Sequence, residues 1–129
     1  MPQNANAATI ATNLATKSQT SLATDGNKIA LVSDGLTPVY NLTAAAVIKA
    51  TPGRLAKLIV IAGGTASNGA FTLNDCATTG AAAIGNEIIT IPSGTAVGTI
   101  YNLGWPCLTG IVLSAVPSAG SPILALIYT

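Results

Sequence analysis

The side chains of this 129-residue chain that offer chemistry are two cysteines, four carboxylates, a small basic cluster and one Trp-Pro pair. Cys76 and Cys107 are the only thiols, and the chain has no His. A nucleophilic thiol or hydroxyl needs a base beside it, so the absence of imidazole removes the Cys-His and Ser-His pairs along with the commonest zinc ligand. A disulfide between the two cysteines requires Cα atoms within about 7 Å and an oxidising compartment. In a chain made in the cytosol, buried free thiols are expected instead. The acids Asp25, Asp34, Asp75 and Glu87 are dispersed. Asp25-Gly26 and Asp34-Gly35 read as turns, in which Asp accepts backbone N–H bonds and Gly takes the positive φ. Asp75 and Glu87 are the one pair that a hairpin could bring face to face, as a glycosidase requires. No further residue selects them for that role, and a structural one is expected. The EF-hand pattern is absent. These residues therefore assign no catalytic, cofactor-binding or metal-ligating position, and the chain does not read as an enzyme.

Lys49, Arg54 and Lys57 form the only basic cluster, spread across a Thr-Pro-Gly turn. They read either as a docking point for an acidic partner surface or as the solvated end of a strand. The stretch Gly63-Gly64-Thr65-Ala66-Ser67-Asn68-Gly69 is rich in glycine but lacks the Lys-Ser/Thr ending of a phosphate loop, and no helix signal follows it; a flexible hairpin loop is expected there. Asn41-Leu42-Thr43 fits a glycosylation sequon, which has meaning only on a secretory route. Trp105-Pro106 is the most distinctive local feature. Tyr and Trp suit interfaces and sugar platforms, but a lone Trp beside a Pro is expected to plug the end of a sandwich.

The elements that must position these groups follow from composition and punctuation. Half of the residues are hydrophobic, 7% are charged, and five Lys+Arg against four Asp+Glu leave a net charge of +1. Nine charged residues and so small a net charge leave no electrostatic footprint for phosphate backbones or anionic lipid, so neither nucleic acid nor membrane is an expected partner. The longest apolar runs, 58–62 and 123–128, fall short of the ~20 residues of a spanning helix. The first residues show neither a basic nor an apolar signal region, and the expected site of synthesis is the cytosol. Ordinary soluble domains carry about a quarter charged residues. A neutral surface built of Thr, Ser, Asn and Gly suits a subunit whose surface is largely covered in an assembly.

From Asn27 onward the chain consists of short β-branched and aliphatic runs broken by Gly, Pro, Asn and Asp. Candidate strands are 28–33, 39–42, 46–50, 54–62, 70–74, 87–91, 99–103, 110–115 and 123–128, separated by turn chemistry such as Asn68-Gly69, Pro92-Ser93-Gly94 and Ala119-Gly120. The expected fold is all-β, a single jelly-roll-like β-sandwich of about eight short strands occupying residues 29–129. Ala44–Ala46 and Ala81–Ala83 favour helix but are too short to hold more than a turn. In 54–62, alternation puts Leu55, Lys57, Ile59 and Ile61 on one face and Ala56, Leu58, Val60 and Ala62 on the other. Both faces are apolar, so this strand is expected between two layers or beneath a subunit interface.

Residues 1–28 differ from the rest: Asn, Thr, Ser and Gln alternate with Ala, and only Ile10, Leu14 and Leu22 are large and apolar. That cannot build a core, and an extended N-terminal arm is expected. Ile10, Leu14 and Leu22 then become its candidate partner-binding residues, alongside Lys49, Arg54 and Lys57.

Several blocks carry a resemblance. Ala50-Thr51-Pro52-Gly53-Arg54-Leu55, Asp75-Cys76-Ala77-Thr78-Thr79-Gly80-Ala81-Ala82, Ile91-Pro92 and Trp105-Pro106-Cys107-Leu108-Thr109-Gly110-Ile111 resemble small virion proteins of tailed bacteriophages, over about residues 47–129. The resemblance implies a capsid decoration, or cement, protein located on the virion surface, with the major capsid protein and further copies of itself as partners. A trimer at a three-fold position is the expected oligomer. The alternative is a receptor- or carbohydrate-binding module of a head or tail fibre, using Trp105 and Tyr101.

Overall fold

A computed structural model describes residues 37–129. The expected arm, with Ile10, Leu14 and Leu22, the candidate strand 28–33 and the Asp25-Gly26 and Asp34-Gly35 turns lie outside the described residues. The others form eight strands: β1 Thr37–Leu42, β2 Ala46–Lys49, β3 Gly53–Ala62, β4 Ala70–Asn74, β5 Glu87–Pro92, β6 Ile100–Cys107, β7 Ile111–Ala115 and β8 Ile123–Tyr128. Single 3-10 turns at Thr79–Ala81 and Ile84–Asn86 interrupt the β4–β5 connection. The alanines of 81–83 thus contribute a turn and no helix, because three residues cannot offset the cost of nucleating one.

The strands make two four-stranded antiparallel sheets, ordered β1-β8-β3-β6 and β2-β7-β4-β5. β1 pairs with β8, β2 with β7, β3 with β6 and β4 with β5, as in one long hairpin whose tip is the β4–β5 connection. The β3–β8 and β4–β7 pairings roll that hairpin into a sandwich. This is the jelly-roll arrangement, in which successive strands cross between sheets. Phe71, Leu55, Leu58, Leu73, Ile91, Ile111, Leu113, Leu124 and Leu126 fill the space between the sheets and are fully buried. Such a core holds its aliphatic side chains at crystal-like density, and each contributes roughly 1.5–3 kcal/mol by leaving water.

Three features differ from the sequence reading. The alternation in β3 is broken between Leu55 and Lys57, where the register shifts against both β6 and β8. A bulge of this kind inserts a residue and turns the strand over, so Leu55 joins Leu58 and Val60 in the core while Lys57, Ile59 and Ile61 face outward. β6 runs through Trp105-Pro106 to Cys107, because it is an edge strand, where a Pro is tolerated. The 63–69 loop is not a hairpin: it joins strands of different sheets and is laced to two other loops. Thr65 N–H donates to Ala119 O at 2.9 Å, Gly94 N–H to Gly63 O at 2.9 Å, Ser118 N–H to Asn68 O at 2.9 Å, and Asn68 N–H to Ser93 Oγ at 2.9 Å.

Candidate functional site

The jelly roll sorts the loops to two ends. Loops 63–69, 93–99 and 116–122 share one end, bound to one another as described. The turns 50–52 and 108–110 and the long 75–86 loop share the other with Thr129, whose N–H and O both bond Arg54 at 3.0 Å.

Asp75 organises this second end. Its carboxylate accepts the N–H groups of Leu108 at 2.8 Å, Thr109 at 2.8 Å and Gly110 at 3.1 Å, while its own N–H donates to Asn86 O at 2.8 Å. Burial pushes the Asp75 carboxyl up, and the three N–H bonds outweigh it and hold the group below the usual carboxylate range. Glu87 faces Thr90, whose hydroxyl donates to it, so the two carboxylates do not form a pair. Both expected free thiols are present and buried. Burial, with the Asp75 charge adding to it, pushes the Cys107 thiol up to about 11, so it stays protonated and un-nucleophilic at neutral pH. Among the described residues, no three His, Cys, Asp or Glu come together as a metal site would require.

The structure does not bring the basic cluster together as one patch. Arg54 is half-buried and its guanidinium donates to Gly104 O at 2.7 Å, tying β3 to the bend of β6 at a residue with φ of 55°. Lys49 lies at the end of β2, against Gly53. Lys57 faces outward from the centre of the first sheet. Arg54 thus braces the fold, and of the three only Lys57 sits within a surface that could receive a partner. Trp105 is 51% exposed and does not plug the sandwich: it pairs with Leu55 but lies on the edge strand β6, and the core is filled without it. Tyr101 instead packs against the core.

The outer faces of the two sheets are unlike each other. On the second sheet the 75–86 loop folds back over β7 and β4. Asn74 Nδ2 donates to Ala83 O at 2.9 Å and to Asn86 Oδ1 at 2.8 Å, and Ser114 Oγ donates to Asn74 Oδ1 at 2.6 Å. Beneath that cover Val112 and Asn74 are buried although they point away from the core. The first sheet has no such cover among the described residues. Tyr40 is 73% exposed and Ile100 56%, and with Pro38, Ile59, Ala125 and Ile127 they surround a shallow groove of about 210 Å³. The register sets Ala125, Ile59 and Ile100 in one row across β8, β3 and β6, and Pro38, Ile127, Lys57 and Asn102 in the next.

Contiguous exposed apolar patches on monomers are small, and larger ones mark interaction sites. This face is the candidate functional site. Sequence reasoning missed it as a unit because its members come from four strands. Two signals pointed that way: the apolar character of both faces of β3, and that of β8, where Ile123, Ala125 and Ile127 alternate with Leu124, Leu126 and Tyr128. No protein family, curated protein or solved structure matches this chain.

Proposed function

We propose that this chain is a structural subunit of a bacteriophage virion, a capsid decoration protein that stabilises the head by binding the major capsid protein of the assembled shell. The observation that carries the reading is the apolar face of the first sheet, which has no cover among the described residues, on a jelly roll whose 75–86 loop covers part of the second sheet. The near-neutral, charge-poor surface and the resemblance of residues 47–129 to phage virion proteins support it. A subunit that binds only the assembled shell stabilises that shell by mass action, without doing any chemistry. Its place is the capsid surface, reached from the host cytoplasm where the chain is made.

The deciding experiment is the copy number of this chain in purified particles of the phage that encodes it, measured by quantitative mass spectrometry against the major capsid protein. A ratio near one, or a simple fraction such as one-third, supports decoration of the whole shell. A handful of copies per particle moves the protein to the tail or a fibre, and none removes it from the virion. Deleting residues 1–26, which hold Ile10, Leu14 and Leu22, is expected to leave a folded sandwich by circular dichroism and to weaken retention on particles. Undiminished retention would take the arm out of partner binding.

The half-exposed Trp105 favours a second reading, a receptor- or carbohydrate-binding module of a head or tail fibre, since jelly rolls also serve as lectins. On that reading Trp105→Ala abolishes binding to host cells or glycan arrays while incorporation into particles is unchanged. Retained cell and glycan binding by that variant would eliminate it.

A further inference from the structure

We propose that Asn68-Gly69 is a site of spontaneous covalent modification, deamidation through a succinimide, and that one loop end of the sandwich gates it. The fold holds Asn68 unreactive, and the residue converts only when loops 63–69, 93–99 and 116–122 come apart. The reaction is a property of the purified chain and stands whether or not the chain is a virion subunit.

The sequence sets the reactants. Asn68-Gly69 is the only Asn-Gly pair in the chain. The Gly69 nitrogen attacks Asn68 Cγ, the Nδ2 nitrogen leaves as ammonia, and water then opens the five-membered ring on either side to give aspartate or isoaspartate. No enzyme and no oxidant takes part, which is why asparagine counts among the thermolabile residues. Glycine hinders the attack least, because no side chain stands beside its nitrogen. Gly69 is exposed, and even a Cβ there would meet nothing nearer than Pro117 Cα at 3.9 Å. In the unfolded chain Asn68 is therefore the asparagine that converts first.

The folded chain restrains the groups that must move. Nδ2, the departing nitrogen, donates to Thr65 O at 3.2 Å and to Ala66 O at 2.9 Å. On the main chain, Asn68 N–H donates to Ser93 Oγ at 2.9 Å and Asn68 O accepts the Ser118 N–H at 2.9 Å. Gly69 is pinned in turn, its O accepting the Ser93 N–H at 3.0 Å. Closing the ring turns Cγ onto the Gly69 nitrogen and rotates the Asn68–Gly69 peptide, so these bonds to three loops are given up together. The population of that opened state then scales the rate, as it does for amide hydrogen exchange.

The reaction is also one that the fold does not reverse. Either product lacks the Nδ2 donor and sets a carboxylate toward two carbonyl oxygens, and isoaspartate lengthens the main chain by one carbon. One added negative charge takes the formal net charge from +1 to zero, where association and precipitation are favoured.

Peptide mapping by mass spectrometry tests the proposal on the full chain, kept warm at mildly alkaline pH with and without guanidinium chloride. In denaturant Asn68 is expected to convert faster than any other asparagine. In the folded chain its conversion is expected to be slower by about ten-fold or more. Ser93→Ala removes the acceptor of the Asn68 N–H and is expected to speed conversion in the folded state by about three-fold or more, while Asn102, exposed on β6 and followed by Leu103, keeps its rate. Should that variant not fold, hydrogen exchange on the wild type decides: the Asn68 and Ser118 amides must exchange with the same dependence on denaturant as Asn68 deamidates. Another asparagine converting first in denaturant, equal rates folded and unfolded, a folded Ser93→Ala chain that converts at the wild-type rate, or exchange that does not track conversion would each overturn the proposal.

Discussion

Asp75→Asn is expected to lower the thermal midpoint at pH 7 by about 10 °C, on the order of 3 kcal/mol. The carboxylate accepts three successive N–H groups of the β6–β7 turn. The amide keeps one acceptor oxygen and places an N–H₂ against the remaining donors; the exposed Leu108 and Thr109 can turn to water, whereas the buried Gly110 N–H cannot. The loss depends on pH. The native carboxyl is held below its unfolded value of about 3.9, so its contribution is full above that pH and is lost as pH falls through the native value. The gap between wild type and variant should therefore be widest at neutral pH and narrow below about pH 4. A gap of constant size down to pH 2 would mean that the carboxylate charge contributes nothing and that only shape matters.

Gly110→Ala is expected to cost a similar amount, about 3 kcal/mol, for a different reason. A Cβ at Gly110 would meet the backbone oxygen of Cys76 and, at 2.6 Å, that of Lys49. Neither is the end of a flexible side chain, so two loops must move apart. Gly80→Ala, where the added methyl meets nothing within 4 Å, is the matched control and should change stability by less than about 0.5 kcal/mol. Denaturant unfolding of both variants checks the contrast, and equal midpoints for the two would refute the steric account. Since Asp75 and Gly110 hold the same junction, the double variant should lose less than the two single losses combined.

The strands were legible because their signals are local. Residues 70–74 and 123–128 were read with the ends that β4 and β8 have, since β-branched runs and Asn-Gly or Pro-containing turns act over a few residues. The face of Leu55 was not legible, because the bulge that turns it inward is set by register against two strands distant in sequence. Trp105 was misassigned for a related reason: whether an indole fills the sandwich end depends on how completely Leu55, Leu124 and their neighbours already fill it. Lys49, Arg54 and Lys57 are close in sequence, yet one turn and one bulge send them to different surroundings. The candidate face was visible only in fragments, as a second apolar side on β3 and on β8. Assembling them required the strand order, which no local pattern encodes.

The pairing of the first strand with the last also governs how the chain reaches this fold. β4 and β5 are joined by only about 12 residues, whereas β1 and β8 meet across about 80, and closing the longer loop first would cost more entropy. The tip of the long hairpin is thus the expected nucleus, with pairing expected to proceed outward from it and β1 to dock last onto an already formed β8. A chain dominated by such distant pairings is a slow folder, in the millisecond-to-second class of all-β domains. Until β1 arrives, the β8 edge is bare: during that interval the apolar strand is open to pairing with other chains.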